Sequence, residues 1–217
     1  MSKKHVKPTG DIGQIKIYGN GQILFDKVKF PETKEEIEKQ IMLSFVEKEK
    51  KQKILPFNIQ GFVQNEIDDF DFTLKTYEKK YFELQEIAPL DFYGVNYKNA
   101  PSYYKDYDFA RYVYNKIIDK NNSYSVDNEI GIYLLTYITD WKFVVSDTAI
   151  SLLQYWLSKQ EIIFKGVYLA SYLDKDSLIR SVIYPVDKNY FLDFNEEKYK
   201  ENSTYLLDPN KWKITTN

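Results

Sequence analysis

The sequence predicts an α/β (α+β) protein, a mixed β-sheet flanked by helices, on three observations. Residues 131–138, Gly-Ile-Tyr-Leu-Leu-Thr-Tyr-Ile, are a nearly continuous apolar run of the kind found in a central strand covered on both faces. Residues 33–53 place Ile37, Ile41 and Phe45 at four-residue spacing, which draws one apolar stripe along a helix. Residues 69–86 alternate apolar and polar side chains with a period of two, the signature of a two-faced hairpin.

The elements follow in order. A first hairpin, residues 15–18 and 22–28, turns through Gly19-Asn20-Gly21. Pro31 and Thr33 announce the first helix, since Thr33 three residues ahead of Glu36 is a capping-box pattern. The mixed Glu and Lys residues along it read as a solvated face with i,i+4 pairs. After Pro56 a strand is expected over 58–64, followed by the acidic hairpin, an irregular stretch, and a helix over about 108–119 carrying Phe109, Tyr112, Val113, Lys116 and Ile117. Beyond the apolar strand, Ser146 or Asp147 caps a helix over 148–159 with Ile150, Leu153, Trp156 and Leu157 on one side. Strands over 162–173 and 179–186 complete the sheet. From residue 187 the pattern is polar and aromatic, and no firm structure is assigned. The expectation is one domain over 1–217, with an N-terminal hairpin at 11–30, a core at 33–186 and a C-terminal extension at 187–217.

Composition narrows the chemistry. With 217 residues, 43% hydrophobic and 17% aromatic, the chain can bury a core unaided. It has no run of about 18 apolar residues, and residues 1–8 carry Lys3, Lys4 and Lys7 without the apolar stretch of a signal peptide, so a cytoplasmic protein with no membrane partner is expected. Cysteine is absent and His5 is the one histidine, placed in a polar N-terminal tail. Thiolate nucleophiles, zinc-thiolate sites and Ser-His-Asp triads are thereby set aside, leaving carboxylates, Lys, Tyr and a hard, oxygen-liking metal. A net charge of −2 decides nothing about nucleic acid, because that question concerns local patches.

The acidic hairpin fits that remainder. With its turn near 77–78 and a three-residue loop, Asp71 faces Glu83, Asp69 faces Gln85 and Phe72 faces Phe82. A two-residue loop would instead set Asp71 opposite Leu84 and dissolve the pair. Two carboxylates side by side destabilise a sheet unless a cation lies between them, and Mg²⁺ favours such oxygens. The plain alternative is an antiparallel sheet showing its solvated face. Lys75 and Lys79 read as edge-strand charges.

Over residues 33–138 the order is helix, three strands, helix, strand, with acids on the second and third strands. This resembles the αβββαβ restriction-endonuclease-like core of the PD-(D/E)XK nuclease superfamily, across about half the chain. The resemblance implies Mg²⁺ (or Mn²⁺) bound by Asp71, alternatively Asp69, by Glu83 and by the carbonyl of Leu84. Gln85 then stands where the E-x-K tripeptide has its lysine, an E-x-Q arrangement known in some restriction endonucleases of the superfamily. Gln85 cannot take a proton, but its amide oxygen can hold the attacking water. Further ligands are offered by Glu66, Glu36 or Glu38. The implied activity is phosphodiester hydrolysis on a nucleic acid, DNA first, in a restriction, phage-defence or mobile-element system.

Two other readings stay open: a non-catalytic nuclease-fold domain that binds a protein or nucleic acid, and an oligomerising structural or accessory protein. Residues 91–107 hold five tyrosines interleaved with Lys98 and Lys105, so Tyr103 and Tyr104 are candidates to stack on bases while the two amines meet phosphates. Packing of those rings in the core is the competing reading.

Overall fold

The computed structural model describes residues 10–53, 55–66, 70–88, 99–124, 131–174, 176–209 and 211. A hairpin of β1 (Gly13–Ile17) and β2 (Ile23–Lys27) leads into α1 (Lys34–Gln52), then β3 (Gly61–Gln64), β4 (Phe72–Lys75) and β5 (Lys80–Glu86). A short β6 (Tyr103–Lys105) runs directly into α2 (Asp106–Asn122). After β7 (Ile132–Ile138) come a 3₁₀ turn (Trp141–Phe143), α3 (Asp147–Leu157), β8 (Gly166–Asp174) and β9 (Ser177–Tyr184). Two more 3₁₀ turns, Lys188–Phe191 and Glu196–Tyr199, precede β10 (Ser203–Tyr205).

Six strands form one mixed sheet in the order β3-β4-β5-β7-β8-β9, while β1 pairs with β2 and β6 with β10 as separate ribbons. The pairs β5/β7 and β7/β8 are parallel, and the others in the sheet are antiparallel. A parallel pair needs a crossover, and α2 and α3 occupy the two crossovers. Every residue of β7 is buried, because helices cover both of its faces. On one face α1 lays Phe45 against Phe82 and Tyr168, and Ser44 bonds the Tyr172 hydroxyl. On the other, Lys116 and Lys120 of α2 meet Gln85 and Glu83.

Local chemistry explains the boundaries. Thr33 caps α1 through its Oγ1, which accepts from the Glu36 N–H and donates to Glu36 Oε2 at 2.8 Å, so the expected pair of residues meets, with the Glu36 carboxylate engaging the Thr33 hydroxyl. The helix ends at Lys53, a non-glycine residue at φ 52°, whose N–H returns to the Glu49 carbonyl. Ser146 caps α3 by accepting from the Ala149 N–H. The second helix begins two residues before its expected start because β6 delivers the chain at Asp106, a buried carboxylate that accepts from Ser146 Oγ at 2.7 Å and Thr204 Oγ1 at 2.6 Å.

The C-terminal extension is more ordered than its pattern suggests. Glu196 accepts from Trp156 Nε1 at 2.5 Å, and β10 closes on β6 through three residue pairs. Trp156 is buried, as expected of its stripe, and Trp212 lies outside the described residues. No helix among the described residues is long and apolar enough to cross a membrane.

Candidate functional site

Phe72 pairs with Phe82, Thr73 with Tyr81 and Leu74 with Lys80, which is the register that the odd loop predicts. Both phenylalanines are fully buried beneath α1, so a one-residue slip would expel them into the opposite layer. Continued by one more pair, this register brings Asp71 beside Glu83.

The two strands part at that point. Phe70 would be the next ladder partner of Leu84, but its carbonyl is taken by Asn65 Nδ2 at 2.9 Å. The Leu84 N–H turns instead to Asp71 Oδ2 at 2.7 Å, so a side chain replaces a backbone rung and holds the Asp71 carboxylate at the mouth of the split. Leu84, expected to offer its carbonyl to a metal, thus engages the acid through its N–H.

Glu83 projects toward α2 and is only 3% exposed. Lys120, in the last turn of α2, puts Nζ 2.7 Å from Glu83 Oε2, and the Tyr124 hydroxyl also reaches the acid. Burial pushes the Glu83 carboxyl above its usual range and the Asp71 charge adds to the rise, while Lys120 and Tyr124 oppose it. Gln85, on the same side of β5, donates through Nε2 to the Lys116 carbonyl at 3.3 Å; its Oε1 is buried and meets no hydrogen-bond donor among the described residues. Tyr124 further lines a cavity of about 830 Å³ with Asn121, Asn122, Gln160 and Tyr184 among its walls.

The remaining expected residues scatter. Glu86 faces the α1 layer and accepts from Thr139 Oγ1 at 2.6 Å, in keeping with its alternation. Glu36 is engaged by the Thr33 hydroxyl at the start of α1. Glu38 is buried under α1, accepting from the Tyr137 hydroxyl at 3.2 Å with Lys34 at 3.4 Å; burial lifts its carboxyl to about 7, Asp71 raising it further and Lys34 pulling it down. Glu66 lines a separate cavity with Glu35 and Lys39. Asp69 and Lys98 lie outside the described residues.

The expected base-stacking pair divides. Tyr104 is a core residue, stacked on Phe109 at 4.4 Å, its hydroxyl donating to the Val144 carbonyl at 2.6 Å and accepting from the Ser146 N–H. A ring so enclosed offers no face to a base, which corrects the sequence expectation at this position. Tyr103 is exposed and stacks on Tyr205, and Lys105 pairs with Glu201 at 3.0 Å.

Among the described residues no three acids converge on one point suited to a metal. What the structure does place near one another is the Asp71 charge and the Glu83 carboxyl, with Gln85 two residues further along the same face of β5 and its Oε1 without a partner among the described residues; all three offer oxygen, the donor type that hard divalent ions take. Sequence reasoning missed Lys120, because a helix-borne lysine 37 positions after Glu83 has no local signal. Comparison with protein-family models, with curated proteins and with solved structures returns no match to this chain.

Proposed function

We propose that the protein is a metal-dependent nuclease of the PD-(D/E)XK type, working through Asp71, Glu83 and Lys120 where β4 and β5 part. The observation that carries this reading is the 2.7 Å approach of Lys120 to Glu83: the strand position that should hold a lysine holds Gln85, and α2 supplies the amine from the neighbouring layer. An acid pair and a lysine are the chemical content of the motif, here assembled in space.

The roles follow from charge. Asp71 and Glu83 would hold Mg²⁺ or Mn²⁺, with Gln85 Oε1 bonding an attacking water. A divalent ion in that position neutralises phosphate charge and lowers the pKa of bound water. Lys120 steers and holds the ionised Glu83 carboxylate, countering the burial that favours its protonated form. Its side chain retains 28% exposure, so it can also meet a phosphate oxygen. The Asp71 carboxylate is held ready by the Leu84 N–H without losing its second oxygen as a ligand.

The test is Mn²⁺ titration calorimetry together with cleavage of supercoiled and single-stranded DNA by wild type, Asp71→Asn, Glu83→Gln and Lys120→Met. The reading requires that both acid variants lose ion binding and cleavage, and that Lys120→Met binds the ion more weakly and fails to cleave even at Mn²⁺ concentrations that saturate its site. Equal Mn²⁺ affinity in wild type and both acid variants would overturn it.

A second reading is favoured by one observation: each acid already has a partner inside the protein, Leu84 N–H for Asp71 and Lys120 for Glu83. A non-catalytic nuclease-fold domain that binds a partner would look the same. It predicts nucleic-acid or protein binding indifferent to divalent ions and to Glu83→Gln.

A further inference from the structure

At the turn end of the β4–β5 hairpin, a cavity of about 540 Å³ lies between that turn and residues 56–60. This size suits one nucleotide. Three aromatic rings wall it. Phe57 meets Tyr133 edge-on at 5.5 Å, and Tyr133 is itself buried, stacked on Phe82 at 5.1 Å and on Tyr168 at 6.4 Å, so it forms the fixed floor of the cavity. Tyr77, at the turn, is fully exposed, an uneconomical place for a large ring with nothing to cover. The polar end is Lys80. Its stem passes over Gly131, where even a Cβ would lie 3.1 Å from the lysine Cδ, so a side chain there would crowd the amine's path. Lys80 Nζ pairs with Glu78 at 2.9 Å, and Glu78 is a rim residue whose carboxylate stands mostly in water. Such a pair is weak and exchangeable. Asn58 and Gln60 complete the wall with side-chain amides, each a donor and an acceptor.

We propose that this cavity receives one unpaired nucleotide, its base against Phe57 and Tyr77, with the buried Tyr133 closing the floor, and its phosphate exchanging with Glu78 on Lys80; the choice of ligand rests on the nuclease reading above. A base must be unstacked to offer its faces to protein rings, so the substrate class is single-stranded or locally opened nucleic acid rather than intact duplex. Lys80 and Glu83 are three residues apart on β5, about 10 Å along the strand, but on opposite faces of the sheet. The nucleotide pocket and the acid pair are therefore separable by mutation.

The experiment uses the full chain and a fluorescent oligothymidylate of about 12 nucleotides, a length within the range of single-strand sites. Anisotropy is read in EDTA at several salt concentrations. Tyr77→Ala and Lys80→Gln should each weaken binding at least about fivefold, and Lys80→Gln should also flatten the salt dependence. Glu78→Gln should strengthen binding by freeing the amine, a gain that a damaged fold would not produce. Duplex of equal length should bind more weakly than the single strand. Unchanged affinity in both pocket variants, or no binding by wild type, overturns the inference. If wild type cleaves DNA while the pocket variants bind normally, the nuclease reading stands and the pocket falls. If the pocket variants lose binding but wild type cleaves nothing, the pocket stands and the nuclease reading falls.

Discussion

Glu49 and Glu83 are both buried acids paired with a cation from a distant element, yet their surroundings differ. Glu49, near the end of α1, meets Arg180 of β9 at 2.5 Å with both side chains almost wholly enclosed. The Leu55 N–H bonds its other oxygen, and the guanidinium sits 5.0 Å from the Tyr168 ring. Glu83 meets Lys120, whose side chain keeps contact with solvent, and it shares its neighbourhood with a second acid and an orphaned amide oxygen. A sealed pair can only fasten α1 to the edge of the sheet. A pair whose lysine reaches solvent, beside another carboxylate, is the one that the proposal has exchanging its partner for an ion. On the proposed reading, enclosure and like-charge company, rather than the ion pair itself, separate a fastener from a site.

The largest expected effect is at the fastener. Arg180→Met strands the Glu49 carboxylate in a closed interior and should cost about 3–5 kcal/mol in denaturant unfolding. Adding Glu49→Gln should recover part of that loss. A cost below about 1 kcal/mol for Arg180→Met would erase the contrast with Glu83.

Glu38 sharpens the comparison, being buried with a tyrosine hydroxyl and a largely exposed lysine as its partners. Its folded pKa of about 7 lies above the ordinary 4.5. The folded state therefore holds this proton more tightly than the unfolded chain. That contribution is fully present below about pH 4.5 and is lost as pH rises through about 7, amounting to roughly 3 kcal/mol. Glu38→Gln keeps an acceptor for the Tyr137 hydroxyl and should flatten this limb. Unfolding measured at pH 4.5, 6 and 8 checks it: the variant gains on wild type as pH rises.

A smaller effect is expected at the candidate site. The Glu83 carboxyl is shifted upward, so its ionised form is not a source of stability near neutrality. Glu83→Gln relieves its repulsion with Asp71 and leaves the partly exposed Lys120 to water, so the melting free energy should change by less than about 1 kcal/mol. A loss of the size expected for Arg180→Met would make Glu83 a second fastener.

The two adjacent tyrosines of β6 give the finest test. Tyr104→Phe removes a hydroxyl that serves both Val144 and Ser146 and should cost about 1–2 kcal/mol. Tyr103→Ala touches an exposed ring stacked on Tyr205 and should stay within about 0.5 kcal/mol. Thermal melts of the two single variants distinguish core from surface on neighbouring residues.

Much of the layering was legible in the residues. Period-two alternation placed Phe72 and Phe82 on one face of the hairpin and Glu83 on the other, since a strand sends successive side chains to opposite sides. Four-residue spacing and the Thr33–Glu36 pattern defined α1, and the apolar run of 131–138 marked the strand covered on both faces, found at Ile132–Ile138. These features depend on neighbours along the chain, and the sequence by itself determined them. The parting of β4 from β5 at Phe70, the arrival of Lys120 at Glu83, the seating of Tyr104 in the core and the closure of β10 on β6 were decided only by the tertiary structure. Each joins residues 5 to about 100 positions apart through one or a few contacts, and no periodicity records such a meeting. An exposed and a buried tyrosine, Tyr103 and Tyr104, are identical letters until packing gives them different surroundings. A lysine becomes the partner of an acid only when the helix that carries it crosses the strand that carries the acid.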